Sequence, residues 1–286
     1  MVEIGENYRN VRNSILNQRI EGTYLKSRPS SSYKTLLVLG IMNIGLGLSA
    51  LINYFSVPHV HISYAEDLQQ MIYLPKGTAY LYITVEGLYQ NYLPYTKSIN
   101  YDQIEGKTSD LNLSDTKPFD FLNGKPYYPA GAIAETFFQD KISLEGIKIN
   151  SNDISWKGES GLIGKTSYTP SEIVFPESWS PETNRGTAPL NTQENSGLPI
   201  LNERFANWIS LAAFGNFSKL WGKMEIPSDD YYRLKVESRE GYSKSKGITI
   251  SYANIMGIPN FYGYLCFIII GLMCIMSGIY IRNHGY

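Results

Sequence analysis

His59 and His61 stand two positions apart, the spacing at which two imidazoles on a strand share a face and can ligate one metal ion. Completing a site needs more donors, and the chain offers one further histidine, His284, and two cysteines, Cys266 and Cys274, both within a distant apolar run. Only Asp or Glu is left to complete the set, and histidines at a membrane surface are the plainer reading. Trp156–Ser167, "WKGESGLIGKTS", comes nearest to a phosphate loop, in which backbone amides wrap phosphates within G-x-x-x-x-G-K-[ST]. Gly158 and Gly164 enclose five residues, one too many, and the segment reads as a Gly-rich surface turn. No G-x-S-x-G elbow occurs, and no cysteine lies outside the apolar runs to act as nucleophile. Carboxylates are plentiful but unpatterned, which leaves an acid/base pair open without locating one. No cofactor is implied.

Two sequons survive inspection, Asn112–Leu113–Ser114 and Asn216–Phe217–Ser218. Asn112 lies in a polar, loop-like stretch and is a candidate for glycosylation. If a helix beginning at Glu203 runs on unbroken, Asn216 shares a face with Phe205 and Ala212; a break at Gly215 frees it.

These residues must be positioned by elements, and the apolar residues divide the chain first. The 286 residues carry a net charge of −1 and are 43% hydrophobic, averages that suggest a soluble protein and mislead. Thr35–Val57 and Phe261–Ile281 are charge-free and each long enough to cross a hydrocarbon core of roughly 30 Å as a helix. Polar residues precede the first run and no small-x-small site follows it, so it reads as a signal anchor rather than a cleaved signal. Arg9, Arg12, Arg19, Lys26, Arg28 and Lys34 come before it, and the next basic residue is Lys76. The positive-inside rule then puts both termini in the cytosol, with Arg282 in agreement. The expected organisation is a cytosolic tail over 1–34, a span over 35–57, an extracytosolic (lumenal) domain over 58–260, a span over 261–281 and a cytosolic end over 282–286. No basic patch lies beyond the tail, which argues against nucleic acid. The tail itself suits anionic lipid, a cytosolic partner or plain solvation.

In the outer domain Tyr80–Glu86, Tyr231–Ser238 and Gly247–Ala253 alternate apolar with polar, as strands with one wet face do. "ESREGYSKSKG", between the last two, reads as a hairpin connection. Asn202 is placed to cap a helix whose Phe205, Trp208, Ile209 and Ala212 share a face, and Gly131–Phe138 suggests a short helix. Ser167–Pro199 reads as a long surface excursion. There is no internal repeat or coiled coil. The fold class expected is a membrane protein: two transmembrane α-helices flanking a large extracytosolic α+β domain dominated by antiparallel β-sheet.

That domain contains no cysteine, fifteen of the 23 tyrosines and all four tryptophans. A disulfide is worth roughly 2–5 kcal/mol and a buried large side chain about 1.5–3 kcal/mol, so a few buried aromatics offset a missing bridge. Most of the tyrosines are expected to be packing. In the spans Gly40, Asn43, Gly47 and Ala50 share one helix face, and Gly271, Cys274 and Gly278 another. Small residues let helices approach closely in lipid, and an intramembrane amide seeks a partner. The faces either pack on each other or meet another membrane protein.

The order of these features resembles the cell division control protein 50 (ligand-effect modulator) family. "GLYQNYLPYTKS" is similar to its aromatic-Tyr-Gln-Asn segment and the Tyr-x-Lys-Ser that closes it. "PAGAIAETFFQD" resembles its Pro-Cys-Gly-Ala-Ile-Ala block, "NSGLPILNERFANWISLAAFGNFSKLWGKM" its Asn-Glu-x-Phe-x-x-Trp helix, and "GITISYANIMGIPNFYGYLCFIIIGLM" its closing strand and second span. The resemblance implies a non-catalytic beta subunit of a phospholipid flippase. Its partner would be a type-IV P-type ATPase that moves lipid to the cytosolic leaflet, in some divergent branches fused to a guanylate cyclase, and the two would form a heterodimer among membrane phospholipids. The subunit would support folding, endoplasmic-reticulum exit and activity of the ATPase in the endoplasmic reticulum, Golgi/endosomal or plasma membrane. Partner contact is then expected from the small-residue membrane faces and, in the outer domain, from Tyr89, Gln90, Asn91, Tyr92 and Tyr95. Ala130 stands where the family has Cys, so the family's disulfides are absent. The alternatives are a free-standing two-span ligand-binding or adhesion ectodomain, served by Ser167–Pro199, and a lumenal hydrolase using unpatterned carboxylates.

Overall fold

A computed structural model describes residues 13, 29–179, 201–239, 245–253, 257 and 261–284. The chain divides into two units, Met1–Ile52 with Asn260–Tyr286, and Asn53–Pro259.

The first unit is built on two long helices, α1 (Pro29–Ser56) and, at the far end of the chain, α7 (Phe261–His284). Proline is favoured at a helix start, where its missing N–H is not needed. Pro58 follows closely after the last residue of α1. Ser32–Ser56 and Phe261–Asn283 have mean hydropathies of 2.1 and 2.3, long and apolar enough to span a bilayer. The chain is a two-span membrane protein.

The second unit holds two main antiparallel sheets. The strands are β1 (His59–Tyr64), β2 (Leu68–Leu74), β3 (Gly77–Glu86), the short β4 (Phe121–Leu122) and β5 (Lys125–Pro126), β6 (Lys141–Leu144), β7 (Asn216–Ile226), β8 (Asp230–Glu237) and β9 (Ser245–Tyr252). One sheet has the order β1-β9-β3-β7, the other β2-β8-β6, and β4 and β5 form a ribbon of their own. The described residues of this unit also form five short helices, α2 (Leu93–Lys97), α3 (Tyr101–Ile104), α4 (Ala132–Glu135), α5 (Lys157–Ser160) and α6 (Glu203–Ile209). One core joins the buried faces of both sheets, Leu81, Ile83, Ile248 and Ile250 from the first and Ile72, Leu74, Leu234 and Val236 from the second.

Three expectations are corrected. β8 and β9 do not form a hairpin: β8 pairs with β2 and β6, β9 with β1 and β3, so the link between them crosses from one sheet to the other. On the face of β9 expected to be wet, Gly247 and Ser251 are buried and Thr249 between them is half-buried, with His61 bonded to its hydroxyl. The α6 helix ends at Ile209, with Asn202 Oδ1 accepting from the Arg204 and Phe205 amides as its cap, and "NFSKLW" belongs to strand β7. Ala212 is therefore past the helix.

The excursion from Ser167 is also less external than its composition suggests. Ile173, Phe175 and Trp179 are buried, and Val174 bridges to Tyr127; residues 180–199, like 240–244 of the expected hairpin and most of the tail over 1–34, lie outside the described residues. Both cysteines are free thiols in α7. An aromatic cluster stands in place of disulfides. Phe137 has ring centroids 5.3 Å from Trp179, 5.5 Å from Phe205, 6.0 Å from Trp208 and 5.3 Å from Trp221. The indoles of Trp179 and Trp208 donate to Ala134 O and Ile133 O at 2.7 and 2.9 Å, so no buried donor is left unpaired there. Tryptophan and phenylalanine carry this core. Of the outer tyrosines, Tyr64, Tyr127, Tyr128 and Tyr252 are buried and Tyr80, Tyr82, Tyr95, Tyr168 and Tyr232 half-buried, as expected of packing residues, whereas Tyr73, Tyr89, Tyr92, Tyr101 and Tyr231 are exposed. At Ala130, buried beside Leu113 and Tyr127, the chain is tied by Gln103: its Oε1 accepts from Ala130 N and its Nε2 donates to Tyr127 O, both at 2.8 Å.

Candidate partner-binding site

Three of the sequence blocks meet at one place. β3 ends at Glu86, Gly87 turns the chain with φ +78°, and the turn that follows lies along residues 212–216 at the start of β7. The Gly87 amide donates to Asn216 Oδ1 at 3.1 Å and the Leu88 amide to Gly215 O at 3.1 Å. Gln90 is fully buried, and its Oε1 accepts from the Ala212 amide at 2.9 Å. Its Nε2, turned toward the Tyr95 hydroxyl, meets no partner at hydrogen-bond geometry. Asn91 Nδ2 donates to Ala213 O at 2.8 Å. A Cβ on Gly215 would stand 2.7 Å from the Tyr89 ring, so glycine is what lets that ring lie against the backbone.

The second block enters through α2. Tyr95 is half-buried, and its hydroxyl pairs with Thr136 Oγ1 at 2.6 Å; burial raises its pKa, and the bond to Thr136 works against that rise. Ser98 Oγ accepts from the Ala132 amide at 2.9 Å at the start of α4. Gly131, at φ +108°, lies so close to Ser98 O that a Cβ would fall 2.1 Å from it. The third block closes the frame through Trp208, whose indole holds the carbonyl of Ile133.

The five outer residues singled out from sequence thus fall into two kinds. Tyr89 and Tyr92 are 64% and 65% exposed. Gln90, Asn91 and Tyr95 hold the turn to its neighbours. Sequence reasoning missed Leu93, at the start of α2, and Phe214, 64% and 77% exposed beside the same turn; nothing local marks them, since neither belongs to a periodic pattern.

In the spans the small residues meet across the chain's own helix pair. A Cβ on Gly40 would lie 2.8 Å from Gly271 O, and one on Gly271 the same distance from Gly40 O. Gly47 faces Ile268 and Tyr264 O, and Gly278 faces Tyr33 O and Leu37. Ala50 is buried, and Asn43 and Cys274 are half-buried. The glycines expected to face a partner are occupied by this crossing, the close approach that small residues permit in lipid. Asn43 Nδ2 donates to Leu39 O at 2.8 Å, within its own helix.

Elsewhere the sequence candidates stand apart. His59 and His61 share an exposed face of β1, with His61 Nδ1 2.8 Å from Thr249 Oγ1 and His59 Nδ1 3.1 Å from Val57 O. Among the described residues no group of three His, Cys, Asp or Glu is placed to hold a metal. The Trp156–Ser167 turn contains one helical turn, α5, opened by an exposed Trp156. Asn112 is exposed, with Oδ1 accepting from Ser114 N at 3.1 Å. Asn216 is exposed at the start of β7, off any helix.

Comparison with known proteins matches residues 59–284 to the LEM3 (ligand-effect modulator 3) family / CDC50 family. The chain is 32% identical over 247 residues to the phospholipid-transporting ATPase accessory subunit CDC50 of Chaetomium thermophilum, covering 77% of this chain and 58% of that protein. It is 25% identical over 209 residues to ALA-interacting subunit 3 of Arabidopsis thaliana, covering 70% and 57%, and 26% identical over 246 residues to cell cycle control protein 50A of Mus musculus, covering 74% and 66%. The match thus spans less than two thirds of these relatives' own length.

Proposed function

From a chain that belongs to the LEM3/CDC50 family, we propose an accessory, non-catalytic beta subunit of a phospholipid flippase. Its partner is a type-IV P-type ATPase, alone or fused to a guanylate cyclase, and the two form a heterodimer. The subunit supports the ATPase's folding, endoplasmic-reticulum exit and activity, and the ATPase moves phospholipid to the cytosolic leaflet. Both termini are cytosolic, on the charge asymmetry around the first span.

The observation that carries the reading is the exposed aromatic turn at Tyr89 and Tyr92, tied to its neighbouring loop by the buried Gln90 amide and by Asn91, in a protein whose relatives are named accessory subunits of phospholipid-transporting ATPases. Gln90, Asn91 and Tyr95 serve that contact as its support. In the membrane, Gly40, Gly47, Ala50, Gly271 and Gly278 hold the two spans together, and partner contact falls to Asn43 and Cys274 at the rim of the crossing. Asn112 is the glycosylated sequon, and Asn216 a second acceptor.

Depletion of every type-IV ATPase in the native cell tests the reading. The subunit is then expected to be retained in the endoplasmic reticulum and to fall in abundance. Unchanged abundance and location would turn attention to a free-standing ectodomain.

A further inference from the structure

Among the described residues outside the spans, Tyr101, Phe121 and Trp156 are exposed in separate segments, and the other exposed large apolar side chains fall into two groups. One lies on the outer face of β2 and β8, where Tyr73 and Tyr231 stack edge to face at 5.4 Å beside Met71. Charged neighbours surround it: Arg233 lies opposite Met71 and reaches Glu145 at 3.7 Å, and Lys235 pairs with Glu237. That is the mixed surface of an ordinary solvated sheet face.

The other group differs. Tyr89, Tyr92, Leu93 and Phe214 are 64%, 65%, 64% and 77% exposed, and the two loops that carry them, "LYQNYL" over 88–93 and "LAAFG" over 211–215, contain no charged residue. The loops are joined by three hydrogen bonds, Leu88 N to Gly215 O, Ala212 N to Gln90 Oε1 and Asn91 Nδ2 to Ala213 O. The Phe214 backbone is therefore held between a residue bonded to Asn91 and a glycine lying under the Tyr89 ring. Ordering of loops on binding is one entropic cost of association, and here the bonds fix the course of both loops beforehand.

We infer that Tyr89, Tyr92, Leu93 and Phe214 form one contact patch that seats in an uncharged apolar recess on the extracytosolic face of the ATPase, with the buried Gln90 and Gly215 as positioning residues and Asn91 tying the two loops together. The inference rests on the accessory-subunit reading and adds Leu93, Phe214 and the division of labour. A protein is the occupant because of charge and residue type. The centre of a protein interface is poor in charge and rich in aromatic residues, as these two loops are. Tyrosine and phenylalanine on a rigid frame supply large contact area with little left to order.

Site-specific photo-crosslinking in the full chain, in native membranes, tests this. With Phe214 or Tyr92 replaced by p-benzoylphenylalanine, irradiation is expected to link the chain to an extracytosolic loop of the ATPase; the same probe in place of Tyr231 is expected not to. Phe214→Ala should reduce ATPase recovery about tenfold or more, as loss of an interface anchor does, and leave the melting temperature unchanged because the side chain is exposed. Crosslinks from Phe214 to lipid alone, or normal recovery of the ATPase with Phe214→Ala, would overturn the patch while leaving the subunit reading intact. Failure to recover any ATPase with the unaltered chain would remove the reading on which the patch rests.

Discussion

Lys246 Nζ lies 2.7 Å from Asp140 Oδ2 in the protein interior, and this pair bridges the two sheets. Lys246 belongs to β9 of the first sheet, and Asp140 directly precedes β6 of the second. The Tyr64 hydroxyl, at the end of β1, donates to the same carboxylate oxygen at 2.8 Å, and Arg239 N, just past β8, donates to the other at 2.9 Å. Lys246 also donates to Ser238 Oγ and Arg239 O. Every charged atom in the cluster is thus answered by a partner, the condition under which a buried ion pair is tolerated.

Lys246→Met should therefore destabilise the outer domain by about 3 kcal/mol or more, because it strands a buried carboxylate. Replacing both residues, Lys246→Met with Asp140→Leu, should cost less than the sum of the single changes. Thermal unfolding of the four proteins measures the coupling; additive losses would show that the pair is not the link.

Reductant should leave the melting temperature unchanged, since the chain's two cysteines are free. Phe137→Ala, at the centre of the aromatic cluster, should instead cost about 3–5 kcal/mol. A fall of several degrees with dithiothreitol would reveal a bridge between chains.

Glu203 provides a pH test. Its carboxylate accepts from the amides of Asp153, Ile154 and Ser155 at 3.0, 2.7 and 2.9 Å and from the Ser155 hydroxyl. Burial pushes its pKa up, but these four bonds outweigh burial and hold it below its ordinary value. A carboxylate lowered in the folded state stabilises fully above its unfolded pKa, and loses that contribution as pH falls through the lowered value. Glu203→Gln should lower the melting temperature at pH 7, and the gap to the unaltered protein should narrow on acidification. A gap independent of pH would mean that the charge plays no part.

In the spans, Gly47→Leu should force the helices apart, because even a Cβ would come within 2.6 Å of Ile268 Cγ1. Gly45→Leu, where nothing lies within 4 Å, is the matched control. Size-exclusion profiles after heating in mild detergent should show the first variant aggregating at lower temperature and the second behaving as the unaltered chain. Equal behaviour would mean the crossing contributes little.

Asn112→Gln should remove one glycan, read as a mobility shift equal to that produced by deglycosylating enzyme at a single site. The Asn112 side chain is exposed and already folded over the Ser114 amide. An unchanged band would place any glycan at Asn216 instead.

The two spans, the strand at Tyr80–Glu86 and the Asn202 cap were legible in the sequence, because each follows from a local period or a local hydrogen bond. β7 was not. Leu81 pairs with Gly222 and Tyr82 with Leu220, so Trp221 is an extra residue in the ladder. That bulge shifts the alternation halfway along the strand: Phe217 and Trp221 follow one phase, Met224 and Ile226 the other. Read without the bulge, the segment loses its period of two. The β8–β9 connection was misread for a different reason: turn composition reports a reversal of the chain but not which sheet receives the next strand. At the site, the tyrosines were visible by type, but the exposure of Leu93 and Phe214 depends on two loops far apart in sequence lying side by side.

The accessory-subunit account is tested most directly by purifying the tagged chain from its native membrane in gentle detergent and identifying by mass spectrometry what remains bound. The account predicts a type-IV P-type ATPase in one-to-one amount, alone or fused to a cyclase. A monodisperse chain with no such companion, under conditions that preserve a known flippase pair, would contradict it.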